Sequence, residues 1–213
     1  MNGRALVFGN QGALYLNAMT WWDHETESLW SQPLGEAIGG ALLGTQLELL
    51  PSSTVPWATW RAEHPQTLAL FDESYEQFNL ESRKSSQDNY IIGVVLGDQS
   101  RAYPYRIASA EQLVQDQIGN TPLLVLVEPQ SHSVHVFVRA TGAQTLTFAL
   151  QGDALIDQPT HSTWDRAHGI AMTGPLKGAA LRPFPYIPAY ARAWRDFHPE
   201  SWFYQGKGVF QKP

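Results

Sequence analysis

The chain has 213 residues, a net charge of -6, 16% charged and 12% aromatic residues, and no cysteine. Few charges with many aromatics exclude intrinsic disorder, and the acidic balance leaves no basic surface for phosphates, so no nucleic-acid partner is expected. The absence of cysteine excludes disulfides, thiolate metal sites and cysteine nucleophiles while leaving the compartment open.

No stretch approaches the ~18 consecutive apolar residues of a membrane span, so none is expected in this chain. The first residues lack the charged and apolar regions of a secretory signal. Ala5–Phe8 reads as a strand. Asp23, Thr26, Ser28 and Trp30 then follow in the pattern Asp-x-x-Thr-x-Ser-x-Trp. Gly40-Ala-Leu-Leu-Gly44 reads as a tight turn without the Lys-Ser/Thr of a phosphate loop. Leu47–Leu50 reads as a strand. Pro56–His64 reads as a helix that begins on a proline and ends before His-Pro, because proline disfavours helix in the residue before it.

Ser74–Asn89 is polar and aperiodic, as a connector would be. Beyond it, Ile91–Leu96 and Arg101–Tyr105 read as a strand pair, and Leu123–Val127 as a buried strand. Val134, Val136 and Val138 alternate as in a strand, and Thr145–Leu150 is one more. Between them Ser109–Ile118 is expected to be a short helix capped by Ser109. Pro188–His198 repeats the proline-led helix.

That repetition is general. Asp157, Thr160, Ser162 and Trp164 reproduce the first motif at an offset of 134. Gly174-Pro-Leu-Lys-Gly178 and Trp194-Arg-Asp-Phe-His198-Pro199 follow at the same spacing. Residues 23–70 share 15 identities with 157–204 over 48 ungapped positions, against about three by chance at average usage. Ahead of Asp23 the offset becomes 140, pairing Phe8 with Phe148, so the first copy has six extra residues. They are expected between Ala13 and Trp22, a stretch that holds Trp21 and Trp22.

The expected class is α+β: β-rich, internally duplicated, two pseudo-equivalent units with short helices, the first incomplete. The units are 1–70 and 90–213, joined by a connector at 71–89 and expected to form one compact body. Residues 71–145 have no counterpart before the first copy. Either the duplication was partial or the chain is the C-terminal part of something longer, with Met1 not the true start.

These motifs resemble the bacterial domain-of-unknown-function (DUF) 3179 family, to which Ala102-Tyr103-Pro104 and Asp116-Gln-Ile-Gly119-Asn-Thr-Pro122 are also similar. Members usually carry Cys-Pro-Leu-Cys ahead of the first copy. Here that segment is missing, and the matching stretch of the second copy is Glu128-Pro129-Gln130-Ser131. The resemblance therefore implies a fold relationship, and no redox or thiolate-metal role.

Candidate ligand-binding residues are Asp23, Thr26, Ser28, Trp30 and His64, their equivalents Asp157, Thr160, Ser162, Trp164 and His198, and the unmatched Trp21 and Trp22. A second interpretation of the same motif is structural, with hydroxyls holding a turn and indoles filling a core. His64 and His198, at helix C-termini, suit the dipole and the last carbonyls. His161 and His168 with Asp157 and Asp165 form a weaker set special to the second copy.

The first-ranked function is a non-catalytic small-ligand- or metal-binding module. An enzyme, hydrolase-like, would use Asp23 or Asp157 with a hydroxyl and His64 or His198. A structural or interaction role would recruit a partner, or a second copy by self-association, through an open strand edge. Catalytic residues, cofactor and metal are not specified by the sequence.

Overall fold

A computed structural model describes residues 5–69 and 89–213. Apart from Asn89, the expected connector lies outside them. The first unit is a four-stranded antiparallel meander of Phe8–Tyr15, Ala18–Asp23, Leu29–Ser31 and Glu36–Gly39, followed by the helix Trp57–Glu63. The second repeats it as Phe148–Gln151, Ala154–Asp157 and Thr163–Trp164 in one sheet, with the helix Ala191–Phe197. The two helices cover equivalent residues at the offset of 134.

Strand register accounts for the six extra residues. Phe8 pairs with Asp23 just as Phe148 pairs with Asp157. The hairpin between them is longer in the first unit, turning at Leu16-Asn17, both at positive φ. Its counterpart turns early, at Gly152-Asp153. Trp21 and Trp22 pair with Asn10 and Gly9, where Leu155 and Ile156 sit opposite Leu150 and Ala149. The two indoles are therefore at the hairpin base, and the insertion is at its tip. That tip reaches the other unit, where the Asn17 amide donates to the Asp196 carboxylate at 2.8 Å and Tyr15 lies 5.9 Å from Phe197, ring to ring.

Besides the small hairpin of Ala140–Thr141 and Gln144–Thr145, the stretch 90–145 adds strands to two larger sheets that occur once among the described residues. Tyr90–Leu96 and Gln99–Pro104 form the expected hairpin within a five-stranded sheet, flanked by Ile187–Tyr190 and by Trp202–Gly206 with Val209–Gln211. Leu113–Ile118, Thr121–Glu128 and Ser133–Val138, with Arg182–Pro183, form a four-stranded sheet. Its middle strands are buried on both faces. Leu123, Val125 and Val127 with Val134, Val136 and Val138 enter one core, whereas Leu124, Leu126 and Phe137 enter the core around Trp164.

Five expectations are corrected. Ala5–Phe8 is not a strand, because the first strand begins at Phe8, and Thr145–Leu150 is two, Gln144–Thr145 in a small hairpin and Phe148–Gln151 in the next sheet. Ser109–Ile118 is not one helix: Tyr105–Glu111 is helical, Gln112 ends it at φ +61°, and Leu113–Ile118 is a strand paired with Thr121–Glu128. Val114 and Ile118 fit the strand period as well as the helical one, and Gly119-Asn120 is a hairpin turn that decides between them. Leu47–Leu50 forms no strand, since Leu47 N–H only donates to Gly35 C=O. Pro188 lies in the strand Ile187–Tyr190, and the helix starts at Ala191. Among the described residues no helix is long and apolar enough to cross a membrane.

Candidate functional site

The four motif residues of each unit come together, and they spend their hydrogen bonds on one another. The Asp23 carboxylate accepts from Thr26 N–H at 2.6 Å, the Thr26 hydroxyl at 2.8 Å and the Trp30 indole N–H at 2.8 Å. Thr26 Oγ1 lies 2.7 Å from Ser28 Oγ, which accepts Leu42 N–H at 3.0 Å. Because the single Thr26 hydroxyl hydrogen is committed to the carboxylate, Ser28 must donate to Thr26.

Asp157, Thr160, Ser162 and Trp164 repeat the set, with Leu176 N–H on Ser162 Oγ at 3.0 Å. Both carboxylates and both serines are wholly buried. The turn needs Gly40 and Gly174, at φ +87° and +82°. A Cβ at either would come within 2.7 Å of the Cα of Ser28 or Ser162.

Burial pushes both aspartates up, but the indole, threonine and backbone donors outweigh it and hold them below the usual carboxylate range. Burial pushes His198 and His135 down. For all four groups the folded-state pKa lies below the unfolded one, so each contributes stability above its unfolded pKa that is lost as pH falls through its folded pKa. Stability should therefore fall in two windows, below about 6.5 for the histidines and below about 4 for the aspartates. Guanidinium midpoints at pH 8, 5.5 and 3 check this, and equal midpoints at pH 8 and 5.5 would contradict the histidine part.

The helix ends also match. The Trp60 indole Nε1–H donates to Thr67 Oγ1 at 3.1 Å and the Trp194 indole Nε1–H to Ser201 Oγ at 2.8 Å. His64 and His198 do not hold the last carbonyls with their rings. Their backbone N–H groups do so, and the rings lie on the indoles, with centroids 4.0 and 4.1 Å apart. Nε2 of His198 is buried without a partner. Trp22 is half-buried against Gly9 and His24, and Trp21 packs on Phe8.

The two units differ in what lies over this frame. Trp194 is 1% exposed and packs flat on Gly93, where a Cβ would meet its ring at 2.2 Å, whereas Trp60 is 41% exposed. Trp60 instead lines a cleft of about 500 Å³ between its own helix and the second unit. Ser53, Glu63 and His64 face it from the first unit, and His135 and His168 from the second. His135, nearly buried, has Nδ1 3.1 Å from Ser53 Oγ. His168 lies 3.4 Å from Glu63 and 3.1 Å from Asp165.

Of the sequence candidates His64 and His168 line this cleft. Ser53, Glu63 and His135 were missed, as was Trp60, whose repetition as Trp194 reads as a core indole; of the set grouped with His168 the structure brings it Asp165, and not Asp157 or His161. Among the described residues no three His, Asp or Glu side chains converge as a metal site.

Such a molecule is a β-rich, internally duplicated protein with one unit sealed and the other open. The family model described as "Protein of unknown function (DUF3179)" matches twice, over residues 1–81 and 69–212, and the chain belongs to that family. No curated protein and no solved structure matches it.

Proposed function

We propose that the chain is a non-catalytic binding module that takes its ligand at the opening of the first unit, in the cleft beside Trp60. One observation carries this reading: an indole held by the same helix and the same hydrogen bond is sealed in one unit and open in the other. A half-exposed aromatic face ringed by Ser, Glu and His is the usual composition of a pocket that orients a polar organic ligand. The paired motifs around Asp23 and Asp157 serve as the scaffold of this site, because their donors and acceptors are already matched internally. Isothermal titration of the intact chain with sugars and divalent-metal salts, repeated on Trp60→Ala, tests the small-ligand form. Heat that disappears in the variant is expected, and silence across the panel removes that form.

A second reading rests on the Ser53–His135 contact. A serine hydroxyl beside an imidazole kept neutral by burial has the composition of an activated nucleophile. Hydrolysis of simple aryl esters that survives Ser53→Ala would rule it out.

A further inference from the structure

The open unit exposes positions that its copy buries, and the copy shows what buries them. Phe8 is 36% exposed and Phe148 2%; Leu50 is 67% exposed and Phe184, at the equivalent position, 6%. Trp60 and Trp194 complete the series. In the second unit Phe148 is covered by Leu124, Leu126 and Phe137, and Phe184 joins the core with Val134 and Val136. Trp194 shares its core with Ile91, Ala102 and Phe203, with Gly93 beneath its ring. Apart from Phe203, which belongs to the repeated unit itself, these covering residues belong to the stretch 90–145, which the described residues contain once. Among the described residues, none of the three core clusters includes one before Ile91. The first unit thus keeps the apolar surface, two of the three side chains unchanged, without the layer that makes it a core.

We infer that the first unit is a docking surface for a β-sheet polypeptide module built like residues 90–145, which seats over Phe8, Leu50 and Trp60. This rests on reading the opening beside Trp60 as a binding site and names its occupant. The surface is specific in two ways. The strand that crosses Trp60 must carry glycine where Gly93 stands, because any side chain there collides with the ring. The strands over Phe8 must present apolar residues at alternate positions, as Leu124 and Leu126 do, since those share a sheet face. Apolar side chains left in solvent at positions that the copy buries mark an interaction site.

The test appends a copy of residues 89–146 to the N-terminus of the full chain through a flexible Gly/Ser linker. Trp60 fluorescence, isolated as the difference from Trp60→Phe, is then measured against acrylamide. The expected result is loss of Trp60 quenching to the level of Trp194, and retention of quenching when the appended copy carries the change Gly93→Leu. Quenching undiminished beside a folded appended copy, judged by added β-sheet circular dichroism, overturns the inference. So does protection of Trp60 in the unmodified chain that grows with protein concentration, which makes a second copy the occupant. If the appended module fails to seat while a probe of the titration panel still gives Trp60-dependent heat, the polypeptide occupant falls and the binding reading stands. If neither occurs, both fall.

Discussion

Asp157→Ala is expected to lose about 3 kcal/mol of folding stability, because it strands buried donors on Trp164, Thr160 and Ser162 that have no water to turn to. For a chain of this length that is a drop of roughly 10 °C in melting temperature. Asp157→Asn keeps the shape and one acceptor oxygen but brings an amide donor into a ring of donors, so it should recover only part of the loss. Asp23→Ala should act in the same direction, since Trp30, Thr26 and Ser28 stand in the same relation to it. Differential scanning calorimetry of the three variants checks the set. A change of less than about 1 kcal/mol for Asp157→Ala, the level of an exposed polar contact, would contradict the internal role of the motif.

The second large effect is an asymmetry. Trp194→Ala removes an indole from a closed core and should cost about 3–5 kcal/mol, the range of buried aromatic deletions. Trp60→Ala removes the same residue from the same helix position. It should cost about 2 kcal/mol less, because 41% of its surface, against 1% for Trp194, stays in water on folding. Equilibrium denaturation of the two variants compares them directly. Equal losses would mean that the first unit is closed after all.

The duplication was legible because its carriers are residues for which no other type will do. A glycine at φ above +80° pressed on a serine Cα admits no Cβ, and the Asp-Thr-Ser-Trp relay needs each hydrogen-bonding group in its place. Thr67 and Ser201 escaped notice although they do the same work, because a hydroxyl partner need not be an identical residue. The strand Leu113–Ile118 was misread because three apolar residues over six positions fit either period, and only its partner Thr121–Glu128 decides.

The cleft was not legible as a site, although His64 and His168 on its walls were among the candidates. Ser53 and His135 are 82 residues apart, and their meeting depends on how the first unit lies on the second. Glu63 and His168 meet for the same reason. Trp21 and Trp22 were assigned to the insertion because sequence comparison has no way to place a gap within a hairpin, whereas strand pairing places it at the tip.

One frame is built twice in this chain and sealed once. Indole ¹H–¹⁵N signals, assigned with single Trp→Phe variants and exposed to a soluble nitroxide, read this residue by residue. The Trp60 signal should broaden strongly while those of Trp194, Trp30 and Trp164 stay sharp; Trp60 and Trp194 broadening alike would contradict it.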